Sequence, residues 1–172
     1  GLKLHDGDKL ISAVQTDGSS EIILVTRRGK ALRFAEDSVR PMGRASAGIK
    51  GMKLSEGDEV TGAVIVTDDS TILLLTEKGY GKRVRFEDFN PHGRGTSGQR
   101  IFGNTESRGE IIGLISVQDS DEIVCMTSQG KTLRVLAKTI NQQGTGSTGV
   151  TVVKISEPDF LVGLDKVPDN KN

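Results

Sequence analysis

Three arginines recur at nearly constant separation: Arg33, Arg83 and Arg134 stand 50 and then 51 residues apart. Further cations accompany each of them, Arg28 and Lys30, Lys78 and Lys82, and Lys131, while Arg44 and Arg94 fall in glycine-rich stretches. Guanidinium and ammonium groups only donate hydrogen bonds, so a regular series of them suits a ligand that is itself a regular polyanion. The phosphate backbone of duplex DNA is such a ligand, bound by charge rather than by base readout. Single-strand stacking needs exposed aromatic rings, and five Phe and Tyr80 are few for that purpose.

Other chemistries lack their constellation. His5 and His92 are too few for a metal centre or a catalytic triad. Asp68-Asp69 and Glu87-Asp88 fall on expected turns without aligned partners, which leaves no carboxylate pair for acid–base work. Cys125 interrupts an apolar run whose copies carry Leu24 and Leu74, and reads as core. Tyr80, on a glycine-flanked hairpin, reads as a surface or phosphate-contact residue rather than a nucleophile. Residues 93–98 (GRGTSG) and 144–149 (GTGSTG) spell the dinucleotide fingerprint, but strand-forming residues follow where that fingerprint requires a helix. No catalytic, cofactor-binding or metal-ligating residue is assigned.

The elements that must position these cations are visible as a repeat. Residues 22–34 (IILVTRRGKALRF), 72–84 (ILLLTEKGYGKRV) and 123–135 (IVCMTSQGKTLRV) align without gaps. Thr26, Thr76 and Thr127 coincide, as do Gly29, Gly79 and Gly130, while Gly48, Gly98 and Gly149 keep the same phase. Each unit predicts four short strands: a β-branched first strand (10–14, 60–66, 111–117), an apolar second strand buried on both faces, a Thr-x-x-Gly turn, a third strand, and a fourth after the glycine loop (49–54, 99–102, 150–155). Alternation on the third strand places Leu32, Phe34, Val84 and Phe86 inward and Arg33, Arg83, Arg85 and Arg134 outward. The class is therefore all-β, with four-stranded blades of about 50 residues, the proportions of a propeller. The expected division is the end of a preceding blade (1–6), repeats at 7–56, 57–107 and 108–158, the start of a further strand (159–167) and a tail (168–172). Three blades cannot close a ring that needs about four to eight, so an incomplete ring with unpaired edges is expected.

The 172 residues carry 23 Lys plus Arg against 23 Asp plus Glu, and the resulting zero net charge argues on its face against a polyanion ligand. The distribution reverses that argument. Residues 22–53 hold eight basic and two acidic side chains, 54–72 five acidic and no basic, 73–103 six basic and three acidic, 104–122 one basic and five acidic, and 123–154 four basic and no acidic. Charge thus alternates in phase with the repeat, predicting a positive belt along one rim with the acidic connections collected elsewhere. One cysteine excludes a disulfide scaffold and fits a reducing, cytoplasmic setting. No apolar run approaches the roughly 18 residues of a membrane helix, so no membrane partner is expected.

These residues resemble the C-terminal domain of DNA gyrase A, a β-pinwheel related in outline to propellers. The likeness covers essentially the whole chain. It is most specific at residues 77–83 (EKGYGKR), at 28–34 (RGKALRF) continuing to 39–43 (VRPMG), and at 162–167 (VGLDKV), in the order of that domain's last three blades. The resemblance implies a domain that wraps duplex DNA on its outer rim within a type II topoisomerase that introduces negative supercoils. It implies the rest of gyrase A, and gyrase B, as partners in a heterotetramer in the bacterial cytoplasm, with ATP and Mg used on other domains and no cofactor or catalytic residue in this one. The family's Gln-Arg-Arg-Gly-Gly-Lys-Gly box is absent; the nearest loops are 43–48, 93–98 and 144–149. The related C-terminal domain of topoisomerase IV, and a protein-interaction propeller that does not bind DNA, are the alternative readings.

Overall fold

The structure, a computed structural model, describes residues 21–35, 56–67, 70–90 and 98–168. Three β-hairpins organise it, and each is built by the same local chemistry. The strands are β1 (Glu21–Thr26) and β2 (Lys30–Ala35), β4 (Thr71–Thr76) and β5 (Tyr80–Arg85), and β8 (Glu122–Thr127) and β9 (Thr132–Leu136); β3 (Val60–Ile65) and β7 (Ile111–Val117) lie between them. At each turn the glycine amide donates to the threonine carbonyl three residues earlier, at 3.2, 3.0 and 3.0 Å. The threonine hydroxyl accepts the amide one residue beyond the glycine, from Lys30 (3.1 Å), Tyr80 (3.2 Å) and Lys131 (3.1 Å). Gly29, Gly79 and Gly130 have φ of 91°, 90° and 84°, a region where a Cβ is strained, so the repeated glycine is a backbone requirement.

Three antiparallel sheets result, and their strands do not follow the sequence units. The first has the order β3-β1-β2-β6, with β6 at Gln99–Arg100. The second is β10-β5-β4-β7, with β10 at Val150–Thr151, and the third is β11-β8-β9, with β11 at Leu161–Lys166. Every hairpin therefore pairs with the first strand of the following repeat, and the first two hairpins pair also with its fourth strand. The expected blade of four consecutive strands is corrected to this exchange, and the two described fourth strands are shorter than expected, two residues each, while the strands expected at 10–14 and 49–54 lie outside the described residues. The exchange ties adjacent units together by main-chain hydrogen bonds: Ile101 N donates to Gly29 O (2.8 Å) and Val152 N to Gly79 O (2.9 Å).

The apolar second strands are buried as their composition demands. Strand β4 directs Ile72 and Leu74 into a core shared with the first sheet, and Leu73 and Leu75 into a core shared with the third. Packing of strands β3, β7 and β11 against one another, from one sheet to the next, depends on a glycine notch. A Cβ on Gly62 would stand 2.6 Å from Leu114 Cδ2, and one on Gly113 would stand 2.4 Å from Leu164 Cδ2. The third sheet departs from the two-sided burial expected of β8: Met126, Leu136, Phe160 and Val162 are exposed, because among the described residues no further sheet covers that face. Cys125 lies in the second core, and burial pushes its thiol pKa up to about 11.

Candidate nucleic-acid interface

The three hairpin turns lie side by side. Ile111 N donates to Arg27 O (2.8 Å) while Glu77 N donates to Glu110 O (2.9 Å), so two consecutive residues link the first turn to the second. Leu161 N donates to Glu77 O (2.8 Å) and Ser128 N to Phe160 O (2.8 Å), linking the second to the third in the same manner. A short helix, α1 (Thr105–Arg108), also spans the first pair: Thr105 Oγ1 meets Arg28 O at 3.5 Å, and Lys78 Nζ donates to Ser107 O at 3.3 Å. Equivalent turn positions of successive repeats thus follow one border.

Cations on that border divide into free and engaged. Arg28, Lys78 and Lys131 are exposed and Lys30 is half-buried, and none of the four forms an ion pair among the described residues. Arg28 Nη1 donates to Glu56 O at 3.1 Å, which orients the guanidinium without neutralising it. Arg27 is engaged: Nε meets Glu110 Oε2 at 2.7 Å and Nη1 meets Glu59 Oε1 at 3.2 Å, and the Glu110 hydrogen bond holds its pKa above the ordinary value. Part of the acidic connections thus returns to the turns, because the strand that follows each connection pairs with the hairpin before it, whereas Asp119, Asp121 and Glu122 pair with Arg83, Lys166 and Arg134 away from the turns.

The recurring third-strand arginine has a different task from the one its spacing suggests. Arg83, expected to point outward, is 6% exposed; Nε donates to Ile140 O (2.8 Å) and Nη1 to Asp119 Oδ1 (2.6 Å). Arg33 is mostly buried as well, with Nη1 donating to Phe86 O (2.7 Å) and both Nε and Nη2 donating to the Glu21 carboxylate. The accepting carbonyls follow a common plan: each lies at a 3-10 turn after the third strand of the next repeat, Phe86–Asp88 for Arg33 and Ala137–Thr139 for Arg83. The arginine of one repeat grips the next. Arg134 remains outward and exposed, and among the described residues its one polar partner is Glu122 Oε1 at 3.4 Å. Only one of the three arginines therefore has the expected outward setting; packing of the following repeat turns the other two inward.

Lys82 is fully buried where Leu32 and Leu133 occupy the equivalent positions, and burial lowers its pKa to about 8. Arg44 and Arg94, on the 43–48 and 93–98 loops, lie outside the described residues, as do His5, His92, Asp68 and Asp69. Two cations escaped the sequence reading. Arg100, exposed, pairs in register with Lys30 across β6 and β2; the strand exchange that brings them together leaves no mark in linear spacing. Arg108 lies over the Tyr80 ring, 4.3 Å from its centroid, which gives this tyrosine a cation–π partner. The border can therefore offer Arg28, Lys30, Lys78, Arg100 and Lys131 to an anionic ligand.

Comparison with known proteins agrees with this architecture. Residues 20–67, 70–118 and 121–168 each match the family model of the DNA gyrase C-terminal domain, beta-propeller. The DNA gyrase A protein of Treponema pallidum is 60% identical over 166 residues, 96% of this chain and 20% of the relative, and that of Escherichia coli is 36% identical over 98% of the chain and 19% of the relative. The chain thus spans about one fifth of the curated relatives it matches. Among solved structures, a DNA gyrase A C-terminal domain superposes with a TM-score of 0.87 at 30% identity, covering 96% of this chain and 56% of that one. The C-terminal domain of a DNA topoisomerase IV superposes with a TM-score of 0.81 at 31% identity, covering 88% and 48%. With three repeats matched in phase and the exchanged sheets in place, the chain belongs to the DNA gyrase C-terminal domain family.

Proposed function

We propose that this chain binds duplex DNA without base specificity along its hairpin border, and that it bends the duplex as the wrapping domain of a gyrase-type topoisomerase. The observation that carries the reading is the alignment of three hairpin turns on one border, with Arg28, Lys30, Lys78, Arg100 and Lys131 free of carboxylate partners among the described residues. Spaced ammonium and guanidinium groups along one protein edge meet successive phosphates and release counterions. Bending a 20 to 30 bp segment costs on the order of 1 to 6 kcal/mol, so several weak contacts must act together. Arg134, half paired with Glu122, joins the border once a phosphate competes for it. Arg33, Lys82 and Arg83 support the scaffold rather than the contact.

On this reading, strand cleavage and nucleotide turnover, with ATP and Mg, belong to other parts of the enzyme. The rest of gyrase A, and gyrase B, are its partners, and the bacterial cytoplasm is its location. The likeness to the topoisomerase IV domain favours, as a second reading, the same DNA contact within that enzyme. Duplex binding is tested by competition at low salt among duplexes of unrelated sequence. Equal affinities support backbone recognition; no binding at low salt refutes the reading and leaves a protein-interaction domain.

A further inference from the structure

The second turn breaks the repeat in its charges. Asp58 Oδ1 accepts the amide of Arg28 at the first turn (3.1 Å), and Asp159 Oδ1 accepts that of Gln129, the equivalent residue, at the third (3.1 Å). Gly109 takes this position beside the second turn, which therefore lacks the capping carboxylate. The residue before it is Arg108, where the other units have Gly57 and Pro158. The same turn has lost a cation of its own, since Lys30 and Lys131 are matched there by Tyr80. These departures meet in space: Arg108 Cζ lies over the Tyr80 ring, 4.3 Å from its centroid.

The main chain holds this pair in place. Thr76 Oγ1 accepts the Tyr80 amide (3.2 Å) and donates to Arg108 O (2.7 Å), so one hydroxyl joins the two residues through their backbones. Gly109, at φ 92°, brings the end of α1 against the turn; a Cβ there would lie 2.9 Å from Glu77 Cγ and 3.0 Å from Lys78 Cγ. Arg108 is half-buried, and its guanidinium has no hydrogen-bond acceptor among the described residues. Glu77 and Glu106, the nearest carboxylates along the turn and α1, form no ion pair with it, and Glu110 is held by Arg27. Arg27, Arg33 and Arg83 work as staples through carboxylates and carbonyls; Arg108 bonds to neither. An aromatic face steadies a cation without neutralising it.

We propose that Arg108 is a further phosphate contact of the hairpin border, at its middle turn, and that Tyr80 is the positioning residue that presents its guanidinium. The ligand is a phosphate of the duplex backbone, so the inference rests on the duplex-binding reading and deepens it. Arg108 supplies from the following unit the charge that Lys30 and Lys131 supply within their own hairpins. A guanidinium can also donate two parallel N–H groups to one phosphate, which an ammonium cannot.

The test measures duplex affinity of the whole chain over a range of salt for Arg108→Gln, Tyr80→Leu, Tyr80→Phe and the double variant of Arg108→Gln with Tyr80→Leu. Arg108→Gln should lower the slope of log K against log salt by about 0.9, one phosphate. Tyr80→Leu should weaken binding about two- to five-fold, as expected for an exposed cation–π contact, and Tyr80→Phe, which keeps the ring, should restore it. In the Arg108→Gln background Tyr80→Leu should cost nothing further, whereas a merely structural role of the ring would persist there. Tyr80 is the one tyrosine of the chain, so fluorotyrosine gives a single fluorine NMR signal that does not depend on the Tyr80→Leu variant folding. Duplex should shift that signal, and the shift should shrink in Arg108→Gln. An unchanged salt slope in Arg108→Gln, with wild-type binding intact, overturns the contact and leaves the border proposal standing. Additive losses in the double variant, or an equal fluorine shift with and without Arg108, overturn the role of Tyr80. Failure of the wild-type chain to bind duplex at low salt is a separate result that removes the duplex reading and this contact with it.

Discussion

Leu114 fills the space that a side chain on Gly62 would need: a Cβ there would lie 2.6 Å from Leu114 Cδ2. The same fit recurs between Leu164 and Gly113 at 2.4 Å, so the inner strands of successive sheets meet as knob and notch. Gly62→Ala should cost about 1 to 3 kcal/mol by overpacking. Urea denaturation measures this, and pairing it with Leu114→Ala should recover part of the loss; additive costs in the double variant would contradict the notch.

The two inward arginines should behave as structural residues. Arg83→Ala leaves the Ile140 carbonyl short of a donor in a buried setting and should destabilise by roughly 1 to 3 kcal/mol. Arg134→Ala, at an exposed site, should stay within about 0.5 kcal/mol. Thermal unfolding of the two variants side by side distinguishes a staple between repeats from a surface cation.

Turn glycines differ in what covers them. A Cβ on Gly79 would lie 2.3 Å from Val153 O, whereas nothing lies within 4 Å of one on Gly130. Both share the left-handed φ, with a strain of about 1 to 2 kcal/mol for alanine. Gly79→Ala should therefore lose more stability than Gly130→Ala, the difference measuring the segment after β10 that packs over the second turn.

Ionisation of Lys82 adds a pH signature. Its folded pKa of about 8 lies below the ordinary 10.5, so the folded state releases this proton before the unfolded chain does. The burial penalty is fully present below pH 8 and is relieved as pH rises toward 10.5, by at most about 3 kcal/mol in total. Stability of the wild-type chain relative to Lys82→Leu should climb across that window. Chemical denaturation at half-unit pH steps checks it, and a flat difference would contradict it.

Much of this was legible in the residues, for a physical reason. The Thr-x-x-Gly turns, the apolar second strands and the repeat are local requirements of hydrogen bonding and backbone conformation, so they are written in adjacent positions. The exchange of strands between units was not, because the pairing of Gln99–Arg100 with Lys30 and Ala31 joins segments far apart in sequence without altering any local pattern. The arginine series misled for a related reason. Periodicity reports that Arg33, Arg83 and Arg134 share a structural setting, but a repeat preserves staples as readily as ligand contacts. Strand alternation assumed a solvated outer face, and the 3-10 turn of the next repeat covers it. Arg28, Lys30, Lys78 and Lys131 were better placed by the same reading, because turn positions stay at the border whatever packs on the strands.

The central claim, that free cations on the hairpin border bind the duplex backbone, is tested most directly by the salt dependence of DNA affinity. Replacing Arg28, Lys30, Lys78, Arg100 and Lys131 together with Gln should flatten the slope of log K against log salt, by about 0.9 for each phosphate no longer neutralised. The account predicts a slope reduced by roughly three to five with folding intact. An unchanged slope in the folded variant would contradict it.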